Sequence, residues 1–126
     1  MIGDGACGFH LVEVDSGLRH GLPMVAVVGN DARWNAEVQI HRRRYGAARM
    51  IGCDLLSSRY DLAAVALGGH GERVDDAALL DGAMTRARAS ALPACVNVMI
   101  DGLPAPLLRR GNAGAADGVA APAGAA

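Results

Sequence analysis

The sequence predicts an α/β domain built on a parallel sheet flanked by helices, and two observations carry that prediction. Residues 22–28 and 95–100 are short, valine-rich runs without alternating polarity, the pattern of strands covered on both faces. Around them lie segments with helical spacing of apolar residues and residues that start and stop helices. The chain of 126 residues, 52% hydrophobic, suffices for one domain, and with 3% aromatic content Ala, Val and Leu must fill its core.

The elements follow in order. A glycine-rich turn begins at Gly3, yet only Met1 and Ile2 precede it, so the strand that such a turn follows is expected to be cut short. The domain is then expected to be truncated on its N-terminal side. From 6 to 20, Cys7, Leu11, Val14 and Leu18 recur at spacings of four, three and four, which predicts one helix with a single apolar face, stopped by Gly21. The strand over 22–28 ends at Gly29-Asn30-Asp31. A second helix is expected over 35–45, with Ala36, Val38 and Ile40 on its less polar part, Arg42, Arg43 and Arg44 near its C-terminus, and Gly46 as its stop.

A shorter helix is expected with Asp61 as N-cap, running to Leu67 before Gly68-Gly69, and His70-Gly71-Glu72 reads as a loop. The clearest helix spans 76–91: Asp75 and Asp76 open it, Arg86 and Arg88 lie near its end, Leu80, Ala83, Met84 and Ala87 form its stripe, and Pro93 terminates it. Beyond Arg110 the composition shifts to Gly, Ala and Pro. Residues 1–110 are therefore expected as a partial domain and 111–126 as a disordered tail.

The glycine turn carries the chemistry. Gly3-Asp4-Gly5-Ala6-Cys7-Gly8 satisfies the pattern of two glycines one free position apart, then two free positions and a third glycine, which lets backbone N–H groups approach a phosphate at a helix start. Asp4 decides between phosphate sites, because a carboxylate between the glycines repels a diphosphate unless a cation stands between them. Magnesium takes hard oxygen ligands from one or two protein groups plus phosphate and water. Asn30 and Asp31 offer further oxygens at the end of the next strand. In a parallel βαβ unit both strand ends lie on one edge, so Asp4 and Asp31 are expected to converge across 27 positions as a two-point magnesium clamp.

Gly3-Asp4-Gly5, then a helix and strand, then Asn30-Asp31, resembles the thiamine-diphosphate-dependent enzymes, whose motif ends in a pair of asparagines; here the second is Asp31. The wording of Ala6-Cys7-Gly8-Phe9, Glu13-Val14, His20-Gly21-Leu22-Pro23-Met24-Val25 and Trp34 resembles the acetolactate synthase-like branch, particularly its oxalyl-CoA decarboxylase and 2-hydroxyacyl-CoA lyase members. The likeness is specific over 3–34 and looser to about Leu108.

The resemblance implies thiamine diphosphate and Mg²⁺ as cofactors. It implies Asp4, Asp31 and the backbone carbonyl of Arg33 as metal ligands, with Gly3, Gly5, Ala6, Asn30 and Asp31 around the diphosphate. It implies lyase or transferase chemistry on 2-keto or 2-hydroxyacyl compounds, in a full-length enzyme that is a homo-oligomer. The activating glutamate of the family, and the apolar residue that props the cofactor, lie upstream of the motif, and Glu13, Glu37 and Glu72 do not replace the former by position. No catalytic residue is therefore expected here, and the chain alone is expected to be inactive.

Composition excludes other classes. A net charge of −1 gives no reason to expect nucleic acid or an anionic membrane. No apolar run approaches membrane-helix length, and residues 1–4 lack the regions of a signal peptide, so a cytoplasmic protein is expected. Cys7, Cys53 and Cys95 are expected as reduced core thiols. His10, His20, His41 and His70 sit in no nucleophile motif, and the run His41-Arg42-Arg43-Arg44 reads as a solvated helix end. Two alternatives remain at this point: a Rossmann-like nucleotide-binding module independent of magnesium, and a non-catalytic remnant serving as an interaction surface.

Overall fold

A computed structural model describes residues 1–104. In chain order they form β1 (Ile2–Gly3), α1 (Asp4–His10), α2 (Glu13–Arg19), β2 (Val25–Asn30), α3 (Asn35–Tyr45), α4 (Tyr60–Ala66), β3 (His70–Val74), α5 (Leu80–Ala89) and β4 (Ala94–Met99). Short 3₁₀ turns at Ala47–Arg49 and Ala77–Leu79 complete the path. The sheet is fully parallel in the order β1-β2-β4-β3.

Alternation along the strands divides the core between two faces. Val28 and Cys95 pack with Cys7, Val14 and Ala64 from α1, α2 and α4, while Val96 and Val74 pack with Ala83 and Ala87 of α5. Small residues dominate because few aromatics are available, and each fully buried valine contributes about 1.5–3 kcal/mol of transfer free energy. The stripe predicted for the last long helix is this contact, with Leu80 and Met84 at its margin. All three cysteines are buried and free, and burial pushes the Cys95 thiol up to about 12, so it is an inert core residue.

Four expectations need correction. The single helix over 6–20 is two helices, because Val14 N–H donates to Leu11 and Asp15 N–H to Val12, bonds of i to i−3 type that tighten the chain between α1 and α2. Its apolar face nevertheless survives, with Leu11 and Leu18 packed on the cluster that holds Cys7 and Val14. The strand over 22–28 is shifted, so that Leu22, Pro23 and Met24 lead in and Asn30 becomes its last residue.

The segment His70-Gly71-Glu72 lies in a strand rather than a loop: β3 pairs in parallel with β4 from His70↔Ala94 to Val74↔Val98. Its polarity suits an edge, where Glu72 accepts from Arg86 at 2.8 and 3.0 Å and meets His70 at 3.1 Å. Gly71 is required there, since a Cβ would collide with the Asp61 backbone of α4. Finally, Asp61 is not the N-cap of α4; Arg59 holds that position without a side-chain cap. Over 35–45, α3 forms as predicted, but only Val38 is buried. Among the described residues no helix is long and apolar enough to cross a membrane. The predicted tail over 111–126 lies outside the described residues.

Candidate functional site

The register of the first strand pair sets the site. Ile2 pairs with Val28 and Gly3 with Gly29, so one further step brings Asp4 level with Asn30 at the C-terminal edge of the sheet. This edge is where open parallel sheets bind ligands. Gly3 is extended at φ −77 and ψ 157, and Asp4 opens α1, where a negative charge meets the positive end of the helix.

Asp4 is 1% exposed, and its Oδ2 has no hydrogen-bond partner. Burial pushes its carboxyl above the ordinary aspartate value and the charge of Asp31 adds to the rise, while the backbone N–H groups of Gly5 and Arg33 hold it down in part. A buried carboxylate oxygen without a donor is costly unless a ligand completes it.

The loop after β2 is tightly fixed. Ala32 adopts φ 54, in the left-handed region that a side chain disfavours, and its N–H donates to Asn30 Oδ1 at 3.1 Å. Residues 53–55 clasp the loop from outside: Trp34 N–H donates to Cys53 O at 2.8 Å, Leu55 N–H to Ala32 O at 2.7 Å, and Arg33 pairs with Asp54 at 3.1 Å. Gly102 runs beside Asp31, where a Cβ would stand 3.3 Å from Asp31 Oδ2. Trp34 lies flat against Gly5, so that a Cβ at Gly5 would meet the indole at 2.8 Å, and Phe9 tilts against the same ring at 5.6 Å. The glycine at position 5 thus brings helix start and loop together.

Asn30 was expected at the diphosphate, but its fully buried side chain is engaged elsewhere: Nδ2 donates at 3.1 Å to both Ser58 O and Asn97 Oδ1. Asn97 in turn donates to Ser58 O and Asp61 Oδ1 at 3.1 Å, and Asp61 takes three bonds from Arg59, the shortest 2.6 Å. Burial raises the Asp61 carboxyl, yet the hydrogen bonds from Arg59 and Asn97 outweigh it and hold it below the ordinary value. The sequence reading missed Asn97, Ser58 and Arg59. Its one usable signal was the amide of Asn97 inside the apolar run Cys95-Val96-Asn97-Val98, which a covered strand admits only with partners.

Other candidates stay apart from this corner. His70 belongs to the Glu72–Arg86 group on β3, Asp15 pairs with Arg19 on the exposed face of α2 at 2.8 Å, and His41 lies 3.5 Å from Cys53 Sγ. Among the described residues no three His, Cys, Asp or Glu side chains cluster around a metal position, so any ion at Asp4 and Asp31 must draw further ligands from backbone, water or a bound anion.

Comparison with known proteins agrees with this geometry. The family model described as "Thiamine pyrophosphate enzyme, C-terminal TPP binding domain" matches residues 1–98. Acetolactate synthase large subunit IlvG of Mycobacterium tuberculosis is 44% identical over 100 residues, 79% of this chain and 18% of that protein. 2-Hydroxyacyl-CoA lyase 2 of Caenorhabditis elegans is 39% identical over 105 residues, 78% of this chain and 16% of that protein. The crystal structure of benzoylformate decarboxylase from Polynucleobacter necessarius superposes with a TM-score of 0.75 at 19% identity, covering 84% of this chain and 20% of that one. The chain thus spans less than a fifth of the two curated relatives named here. The chain belongs to the thiamine pyrophosphate enzymes, as a C-terminal TPP-binding domain of the kind found in acetolactate synthase and 2-hydroxyacyl-CoA lyase.

Proposed function

We propose that this chain binds the diphosphate of thiamine diphosphate through Mg²⁺, as the cofactor-anchoring part of an acetolactate synthase-like enzyme acting on 2-keto or 2-hydroxyacyl compounds. The observation that carries this reading is the buried Asp4 carboxylate, near enough to Asp31 to feel its charge and left with an unpartnered oxygen. A divalent cation there would neutralise the Asp4 and Asp31 carboxylates and supply the missing partner. Asp4 and Asp31 would hold the ion with the backbone carbonyl of Arg33. Gly3, Gly5 and Ala6 would present the turn and helix start to the phosphate oxygens. Asn30 acts beneath them by fixing the loop.

When bound, the cofactor supplies the carbon nucleophile and electron sink for carbon–carbon bond chemistry at a carbonyl. This chain's share is binding and orientation. We infer that activation of the cofactor falls to a glutamate outside these residues, that the chain alone is inactive, that 1–110 and 111–126 are its domain and tail, and that the whole enzyme is a cytoplasmic homo-oligomer.

Calorimetric titration with thiamine diphosphate tests the reading. Binding is expected in magnesium and not in EDTA, and Asp4→Ala is expected to weaken it more than about 100-fold, roughly 2.7 kcal/mol. Equal binding in EDTA would favour a magnesium-independent nucleotide module. An absence of heat in magnesium would remove the diphosphate site from this chain.

A further inference from the structure

We propose that Asp61 is a positioning residue for the loop that carries Asp31 and Arg33. Its significance for cofactor binding rests on the function proposed above; its effect on the loop does not.

The inference follows from which groups accept and which donate. An ionised carboxylate and a backbone carbonyl accept only, whereas a primary amide presents an acceptor at one end and donors at the other. Asp61 Oδ1 and Ser58 O both face Asn97 Nδ2, so Asn97 must direct its oxygen the other way, onto Asn30 Nδ2 at 3.1 Å. Ser58 O also receives Asn30 Nδ2 at 3.1 Å. With its nitrogen thus committed, Asn30 has only Oδ1 to offer the loop, and that oxygen receives the Ala32 N–H. Ala32 stands between Asp31 and Arg33 at φ 54, a conformation that persists only where surrounding bonds dictate it.

Asp61 acts on this chain at two points. Its carboxylate orients Asn97 directly, and its bonds to Arg59 hold together the 58–61 segment that supplies the Ser58 carbonyl. Asn30, Asn97 and Asp61 are buried, so water does not substitute for a lost partner. Arg59 is half exposed and closes the chain at the surface. The path therefore runs from a surface guanidinium through one carboxylate and two amides to the backbone beside Asp31.

Asp61→Asn separates this role from simple stability, because it keeps the shape while replacing an acceptor-only group with one that also donates. The readouts are ¹⁵N-detected amide exchange of the cofactor-free chain, urea unfolding, and magnesium titration with saturating thiamine diphosphate. The Ala32 amide is expected to lose protection at least about tenfold beyond the factor that the Val27 and Val96 amides lose through any fall in global stability. Half-saturation by magnesium is expected to weaken by about tenfold, with cofactor affinity at saturating magnesium unchanged. Ala32 protection that is unchanged, or that falls only in step with Val27 and Val96, overturns the proposal.

Should Asp61→Asn fail to fold, Arg59→Gln provides the second test, since its change lies at the surface. It is expected to loosen the Ala32 amide by a smaller factor, about threefold, and no selective change overturns the proposal. If the unsubstituted chain shows no magnesium-dependent binding, the proposed function fails, and amide exchange alone decides the role of Asp61.

Discussion

Asp4 and Asp61 are two buried aspartates on helices that pack into one core cluster against the sheet, 1% and 3% exposed, and they are shifted in opposite directions. Asp61 receives a guanidinium and an amide, and these outweigh the burial that would otherwise raise its pKa. Asp4 is held down only by backbone N–H groups, is pushed up further by the charge of Asp31, and keeps one oxygen without a partner. The difference separates a carboxylate that builds the fold from one whose environment favours a cation. Burial alone identifies neither.

The comparison is broken most severely at Asp61. Replacing it with alanine leaves Asn97 Nδ2 short of an acceptor and Arg59 without its partner, and is expected to destabilise the chain by about 2–3 kcal/mol in urea unfolding. A loss below about 0.5 kcal/mol would show that the network contributes little to the fold.

Asp4→Asn is expected to act in the opposite sense. Without cation or cofactor it removes a buried negative charge that burial and the charge of Asp31 both oppose, and should stabilise the chain by about 1–2 kcal/mol. If it destabilises instead, Asp4 belongs with Asp61 as a structural carboxylate.

The smallest effect separates the two by pH. The Asp4 pKa is raised on folding, so its contribution is present below the ordinary aspartate range and is lost as pH rises through the folded value. The Asp61 pKa is lowered, so its contribution is present above that range and is lost as pH falls through the folded value. The opposing trends partly cancel in the unsubstituted chain. Unfolding followed from acid to neutral pH should therefore show a steeper acid loss in Asp4→Asn than in the unsubstituted chain, and a shallower one in Asp61→Asn.

How much of this was legible in the sequence depended on how local each signal was. The apolar run over 22–28 announced the strand now seen over Val25–Asn30, with its bounds set too early, because continuous apolar character is local, and Asp4 stood out because a carboxylate between glycines conflicts with a bare phosphate. The expectation that Asp4 and Asp31 converge rested on parallel connectivity alone. The strand His70–Val74 did not announce itself, since an edge strand with Glu72 and Arg73 lacks a strand's apolar pattern and is fixed by pairing with residues about 24 positions away. The role of Asn30 was hidden for the same reason: its partners Ser58 and Asn97 are remote in sequence, and only folding brings them together.

The chain's single tryptophan lies across the glycine turn at the helix start, against Gly5, on the loop that carries Asp31 and Arg33. Its indole is therefore an optical gauge native to the molecule, so that occupation of the turn changes the emission of one ring at one known place, and no label need be added.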